Sequence, residues 1–217
     1  MQRASTLGAH PQTSTGLDNR KLLMWLFLAS ECLFFGGLIG AYLLYRSKVA
    51  VPCENGDLAT CVFPVDRTVN GVAYQGILDI PFTSVSSFVL LMSSLAMVLA
   101  LAAIQRNDRW GAQIWLLCTA FLGMTFLAGQ AFEFTEFYRE GLTLNTNLFG
   151  TTFFVLTGFH GAHVSVGVLI LLSLFVMARR GRLTQRNALN VELAGLYWHF
   201  VDVVWIVIFT LVYLIGT

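Results

Sequence analysis

Tyr197-Trp198-His199-Phe200-Val201-Asp202-Val203-Val204-Trp205 is the stretch on which the reading of this chain turns. It belongs to an apolar run from Ala194 to Ile215, and it sets a histidine and a carboxylate inside that run. A run of roughly 20 apolar residues is the length a helix needs to cross a bilayer. His199 and Asp202 are three residues apart and so share one face of such a helix. An ionisable group near mid-bilayer costs roughly 2.5 to 3.5 kcal/mol even on the lenient insertion scales. That face must therefore meet protein, a polar partner or water, and lipid is excluded.

Composition supports the same class. The 217 residues are 56% hydrophobic and 12% charged, with a mean hydropathy of +0.70. Soluble domains carry about 25% charged residues, so half that value predicts an all-α polytopic membrane protein. A net charge of +1 gives no reason to expect nucleic acid as a partner. The four cysteines, Cys32, Cys53, Cys61 and Cys118, form no CxxC pair, which argues against a structural zinc site, and no metal site is expected. No cleaved signal is expected, because the first span is too long for a signal-peptide core.

Taken in order, residues 1–21 form a polar tail expected to face the cytoplasm, and residues 22–217 a membrane domain. The spans are read as 22–45, 82–104, 112–137, 148–177 and 193–215, a bundle of five helices. Gly36 and Gly40 in the first form a small-xxx-small pair that would let another helix approach closely. The loop 46–81 is long enough to be a cap over the membrane face or a partner surface. Trp25, Trp110 and Trp115 fall near span ends, as an interfacial belt requires. Lys and Arg settle the expected orientation: nine lie in the segments on the N-terminal side of the membrane and four on the other. The N-terminus is thus expected inside and the C-terminus outside. The loop 46–81 is then on the oxidising side, where a Cys53–Cys61 disulfide is chemically allowed.

Five ionisable residues are expected in one central layer: Glu31, His160, His163, His199 and Asp202. At about 1.5 Å per residue, Glu31 and Asp202 both lie near mid-membrane, and His160 and His163 sit around the middle of their span. Three readings stay open: a neutral cluster fixing helix register, a proton-handling site with Glu31 foremost, or metal ligation. No Lys or Arg lies in any span to neutralise Glu31. A two-haem cytochrome would want paired histidines on both facing helices, and the fifth span has only His199. A di-iron centre needs more Glu-x-x-His motifs than occur here. Glu133 and Glu136, near the outer end of the third span, are proton-related or lipid-facing, and could simply snorkel to water.

Two long stretches resemble a known family. Residues 149–163, Phe149-Gly150-Thr151-Thr152 through Gly158-Phe159-His160-Gly161-Ala162-His163, resemble the most recognisable helix of subunit III of haem-copper cytochrome c oxidases. Glu192 with Gly195 to Trp205 resembles that family's final helix, Ser30-Glu31 the helix bearing its intramembrane carboxylate, and Gln130 to Glu136 its Glu-containing segment. The match covers about four of the five spans in the expected order and is closest to the bacterial five-helix form, which lacks the first two helices of mitochondrial-type members.

The resemblance implies an accessory subunit of a proton-pumping aa3-type terminal oxidase in a bacterial plasma membrane. It implies subunit I as main partner, contacts with other oxidase subunits, membrane lipids and other respiratory complexes, and no catalytic residue in this chain. Haem and copper are expected in the partner subunits, none is expected in this chain, and bound phospholipid is expected. Supporting proton uptake, offering oxygen access and stabilising subunit I are the implied tasks. Quinol oxidases and a nitric oxide reductase-associated protein have similar subunits, so the electron donor stays open. A free-standing proton or ion carrier is the alternative of another class, against which stands the lack of an inverted repeat or a Pro-broken helix.

Overall fold

The computed structural model describes residues 18–49, 67–69, 72–74, 79–139 and 148–215. Cys53 and Cys61 lie outside the described residues, as does most of the loop 46–81. Five long helices carry the chain: α1 (Asn19–Val49), α2 (Ile80–Gln105), α3 (Arg109–Arg139), α4 (Leu148–Arg179) and α5 (Ala188–Phe209). All five are long and apolar enough to cross a membrane. The described part of the loop between α1 and α2 adds a small antiparallel hairpin, β1 (Arg67–Val69) with β2 (Val72–Tyr74), in which Thr68 faces Ala73.

Each helix runs past the apolar stretch that marks it, because polar residues continue the backbone ladder into the headgroup region. Asp79 caps α2 by accepting from the Phe82 N–H at 3.1 Å, and Pro81 occupies the first turn, where a missing N–H is harmless. The α2–α3 connection is tight. Asn107 takes φ 59°, which lets the Asn107 and Asp108 N–H groups close the end of α2 onto the Ile104 and Ala103 carbonyls. Gly181, with φ 67°, does the same at the end of α4. The chain then makes a single 3-10 turn (Gln185–Asn187) and enters α5, which finishes in a π-helical turn (Thr210–Leu214).

α5 is the hub, in contact with α1, α2 and α4, while α3 bridges α2 and α4. Many of the buried residues of α2 and α3 are small: Ala96, Ala100 and Ala103 on α2, and Ala112, Thr119, Ala120 and Gly123 on α3. In lipid, where apolar burial gives no drive to associate, such residues let backbones approach and gain dispersion contacts. Trp198, 1% exposed, fills the junction of α2, α3, α4 and α5. A Cβ added at Gly123 would lie 2.6 Å from its ring, and one added at Gly167 would lie 2.7 Å from it. Both glycines are therefore seats for this one indole, whose Nε1–H donates to Ser93 Oγ at 3.0 Å.

α1 is the outlying helix. It is held on α4 and α5 by Leu28, Phe35 and Tyr42, which recur every seven residues along one stripe. The expected close approach at Gly36 and Gly40 is not made to any described residue of this chain. An added Cβ at Gly36, Gly37 or Gly40 would meet nothing within 4 Å. The glycines lie away from the stripe, since the buried positions 28, 35 and 42 orient the helix.

Candidate functional site

The five ionisable residues expected in one layer do not form one network. Successive helical residues rotate by about 100°, so residues three apart point about 60° apart, enough to face different neighbours. His163 faces α1 and His160 faces α5.

Glu31 and His163 are paired, with Glu31 Oε2 3.2 Å from His163 Nε2. His163 Nδ1 lies 2.8 Å from the Phe159 carbonyl oxygen. A carbonyl can only accept, so Nδ1 carries a hydrogen, and Nε2 is the nitrogen left to meet the carboxyl. Two protonation states then fit the same heavy atoms: a neutral carboxyl donating to Nε2, or an imidazolium donating to a carboxylate. One proton in one short contact separates them. The ring is flanked by Phe35 at 5.0 Å and Phe34 at 6.4 Å, and the Tyr197 hydroxyl donates to the His163 carbonyl at 3.0 Å. The side chains remain 18% (Glu31) and 19% (His163) exposed, so the pair opens at the α1–α4 surface rather than being sealed.

His160 is fully buried. Its Nε2–H donates to the Val201 carbonyl at 3.2 Å, and its ring lies 4.8 Å from that of Trp205 and edge-on to Phe126. This histidine ties α4 to α5. His199 lies on the other flank of α5, with Nδ1 against Ser94 Oγ on α2. Asp202, 3% exposed, is buried with the Ser94 hydroxyl as its polar neighbour.

Glu133 corrects an expectation. It does not snorkel and is not lipid-facing: it is 7% exposed, and its Oε1 is 2.7 Å from the Thr83 hydroxyl and 3.0 Å from the Tyr213 hydroxyl. Distance from the span end suggested escape to water, but two neighbouring helices supply donors, so burial does not leave the carboxyl unpaired. Glu136, one turn on, is half-buried and pairs with Arg139 at 3.1 Å.

A family model described as Cytochrome c oxidase subunit III matches residues 1–217. The chain belongs to the cytochrome c oxidase subunit III family. Cytochrome c oxidase subunit 3 of Synechocystis sp. is 42% identical over 199 residues, covering 91% of this chain and 76% of that protein. Cytochrome c oxidase subunit 3 of Bacillus sp. (strain PS3) is 34% identical over 215 residues, covering 98% and 95%. Quinol oxidase subunit 3 of Bacillus spizizenii is 32% identical over 205 residues, covering 94% and 91%.

Within this chain, several polar contacts use partners that sequence reasoning passed over, the serines of α2 above all. Along the antiparallel α2–α5 seam, Trp198 donates to Ser93, His199 meets Ser94, and Trp205 donates to Ser87 at 2.8 Å. Gln130 Nε2 donates to the Thr157 carbonyl at 2.7 Å, fastening α3 to α4. The available signal was positional. Ser87 and Ser93–Ser94 on one span are spaced like Trp205 and Trp198–His199 read in reverse on another.

Proposed function

We propose that this chain is the non-catalytic subunit III of a proton-pumping aa3-type cytochrome c oxidase. It would lie in a bacterial plasma membrane with its N-terminus inside and C-terminus outside. Subunit I would be its main partner, haem and copper would reside in the partner subunits, and bound phospholipid would fill its outer contacts. The observation that carries this reading is how the three membrane histidines are used. His163 is engaged by Glu31 and Phe159, His160 by Val201, and His199 by Ser94, each on a different flank. Such an arrangement serves helix registry and proton exchange better than convergence on a metal. Among the described residues no group of three or more His, Cys, Asp or Glu side chains could hold a metal ion.

In this reading the Glu31–His163 pair is the chain's proton-handling element. A proton held by the pair can reside on the carboxyl or on Nε2 with no movement of either helix. His160, His199 and Glu133 then act structurally, each bonded across a helix interface.

A quinol oxidase is the second reading, favoured by the relative of that name at 32% identity. The test is purification of the intact complex through a tag on this chain, with oxygen uptake followed on reduced cytochrome c and on a quinol. Turnover on cytochrome c supports the first reading and turnover on quinol alone the second. A tagged chain that brings down no haem-containing subunit would refute both.

A further inference from the structure

A polar side chain facing hydrocarbon is tolerated when its hydrogen bonds are met close by, and most of this surface obeys that rule. The exposed hydroxyls of Ser84, Thr125, Thr135, Ser165 and Ser173 each donate to a carbonyl three or four residues back in their own helix. His163, half-buried, spends both ring nitrogens, one on the Phe159 carbonyl and one on Glu31. His199 is also half-buried, but it spends only one. Its Nδ1 meets the Ser94 hydroxyl, and among the described residues its Nε2 has no hydrogen-bond partner. Nor is Nε2 sealed inside the bundle as His160 Nδ1 is, so it opens on the flank where α2 and α5 meet.

The depth of this nitrogen limits what can satisfy it. His199 stands eleven residues beyond Ala188, the start of α5, a rise of about 16 Å. Ser94 lies near the middle of α2 (Ile80–Gln105). In a hydrocarbon core about 30 Å thick, that level is out of reach of headgroups and bulk water, and acyl chains carry no polar atom. The ring cannot turn Nε2 inward without leaving Ser94. The serine has one hydrogen to give. Donated to Nδ1, it leaves the ring hydrogen on Nε2, which then needs an acceptor. Turned to Asp202, it lets Nδ1 donate to the serine and leaves a lone pair on Nε2, which then needs a donor. A hydroxyl group on a neighbouring membrane helix meets both needs.

The surroundings suit a helix as the occupant. Leu91 and Val98, one turn to either side of Ser94, and Val203, one turn beyond His199, are exposed aliphatic residues. Such a face gives dispersion contacts to a second helix, and a single polar atom within it sets the register. A second copy of this chain is the poorer fit. Across a two-fold axis it would bring up the same nitrogen in the same state, hydrogen to hydrogen or lone pair to lone pair. We propose that the α2–α5 flank around Ser94 and His199 is the face that meets a transmembrane helix of subunit I, and that this helix sets a hydroxyl against His199 Nε2. The inference rests on the reading of subunit I as the main partner and assigns the face and the atom that make the contact.

The test uses the assembled oxidase, purified through a tag on this chain. The photocrosslinker p-benzoylphenylalanine replaces Val98 or Val203 beside the pair, or Phe121, exposed on α3, as the comparison. Mass spectrometry after irradiation should find subunit I joined to positions 98 and 203 and not to 121. Two substitutions then read the nitrogen itself. H199N keeps an amide where Nδ1 stood, able to meet Ser94, and removes the outward atom, whereas H199Q carries an amide out to the Nε2 position. Release of this chain from the complex in detergent, followed by native electrophoresis, should be about threefold to tenfold faster in H199N, the worth of one interhelical hydrogen bond in a membrane. H199Q should stay close to wild type. Crosslinking leaves His199 and Ser94 intact, so it reads the face even if H199N fails to fold. Crosslinks from 98 and 203 only to lipid, or only to a second copy of this chain, with subunit I present in the complex, would overturn the proposal. Release of H199N at the wild-type rate would overturn the Nε2 contact. A purified complex without subunit I would overturn the underlying reading as well, and is recognised before any crosslink is scored.

Discussion

Gly167→Ala tests the packing on which the site depends, and its effect can be worked from the Trp198 seat. The new methyl group would lie 2.7 Å from Cζ3 and 2.8 Å from Cε3 of the indole. Ordinary carbon contacts are about 3.5 to 4.0 Å, so the ring must retreat by about 1 Å. It has little room, because its Cη2 edge already lies 2.6 Å from where a Gly123 Cβ would stand. Retreat also pulls Nε1 away from Ser93. Overpacking of this kind costs about 1 to 3 kcal/mol, and a lost interhelical hydrogen bond in a membrane protein about 0.6 kcal/mol. Trp198→Phe alone removes the outer ring edge and the Ser93 bond, at a cost of about 1 to 3 kcal/mol. In the double variant the methyl group occupies space the indole has vacated, so the two costs should fall short of additivity by about 1 kcal/mol or more. Denaturant-titrated unfolding in mixed micelles measures all four forms of the cycle. Strict additivity would mean that the glycine and the indole are not coupled, and the seat described above would be wrong.

The Glu31–His163 pair makes a sharper functional prediction. Glu31→Gln should assemble normally but slow turnover as proton supply becomes limiting at alkaline pH, and a pH–rate profile identical to wild type would leave the pair only a structural role. Glu31→Ala, which leaves His163 unpaired, should in addition weaken retention of the subunit, read by gel filtration of the complex. At Glu133, Gln keeps an acceptor for Thr83 and Tyr213 and should be nearly neutral, whereas Leu strands the Tyr213 hydroxyl at about 1 to 3 kcal/mol, while Thr83 still has the Asp79 carbonyl at 2.9 Å. Thermal unfolding in detergent distinguishes them, and equal loss in both variants would contradict the buried node. At the α1–α5 contact, Lys21→Glu should loosen α1 by no more than about 1 kcal/mol, given that the pair is about one-third exposed. The exchange variant K21E/E192K should recover that loss, and failure to recover would show that Lys21 and Glu192 do not act as a pair.

The five membrane helices were legible because apolar length is the one quantity a bilayer demands, and each helix was recognised from its own stretch alone. The hub role of α5 was legible in part, since a span bearing both His199 and Asp202 cannot lie against lipid. Which polar groups would meet was not. His160 and His163 differ by about 60° around α4, and only the position of the neighbouring helices decides that one reaches Val201 and the other Glu31. Serines in apolar spans hardly change hydropathy, so Ser87, Ser93 and Ser94 left no mark until the antiparallel α2–α5 seam aligned them with the tryptophans and His199. Glycine spacing was a weak guide to packing within the chain. Gly36 and Gly40 advertised a helix contact by spacing but meet no described residue, whereas Gly123 and Gly167, on different helices, both abut Trp198. Glu133 was misjudged because depth in its own span was weighed without the two donors that α2 and the π-helical turn bring to it.

The central claim is that this chain assists oxygen reduction without holding a redox centre, and metal content read alongside the visible spectrum tests it most directly. The assembled complex should show haem bands, contain copper and consume oxygen. The same chain, dissociated from that complex and kept folded in detergent, should show none of these. Stoichiometric iron or copper retained on the separated chain, or a haem spectrum that follows it through purification, would contradict the account.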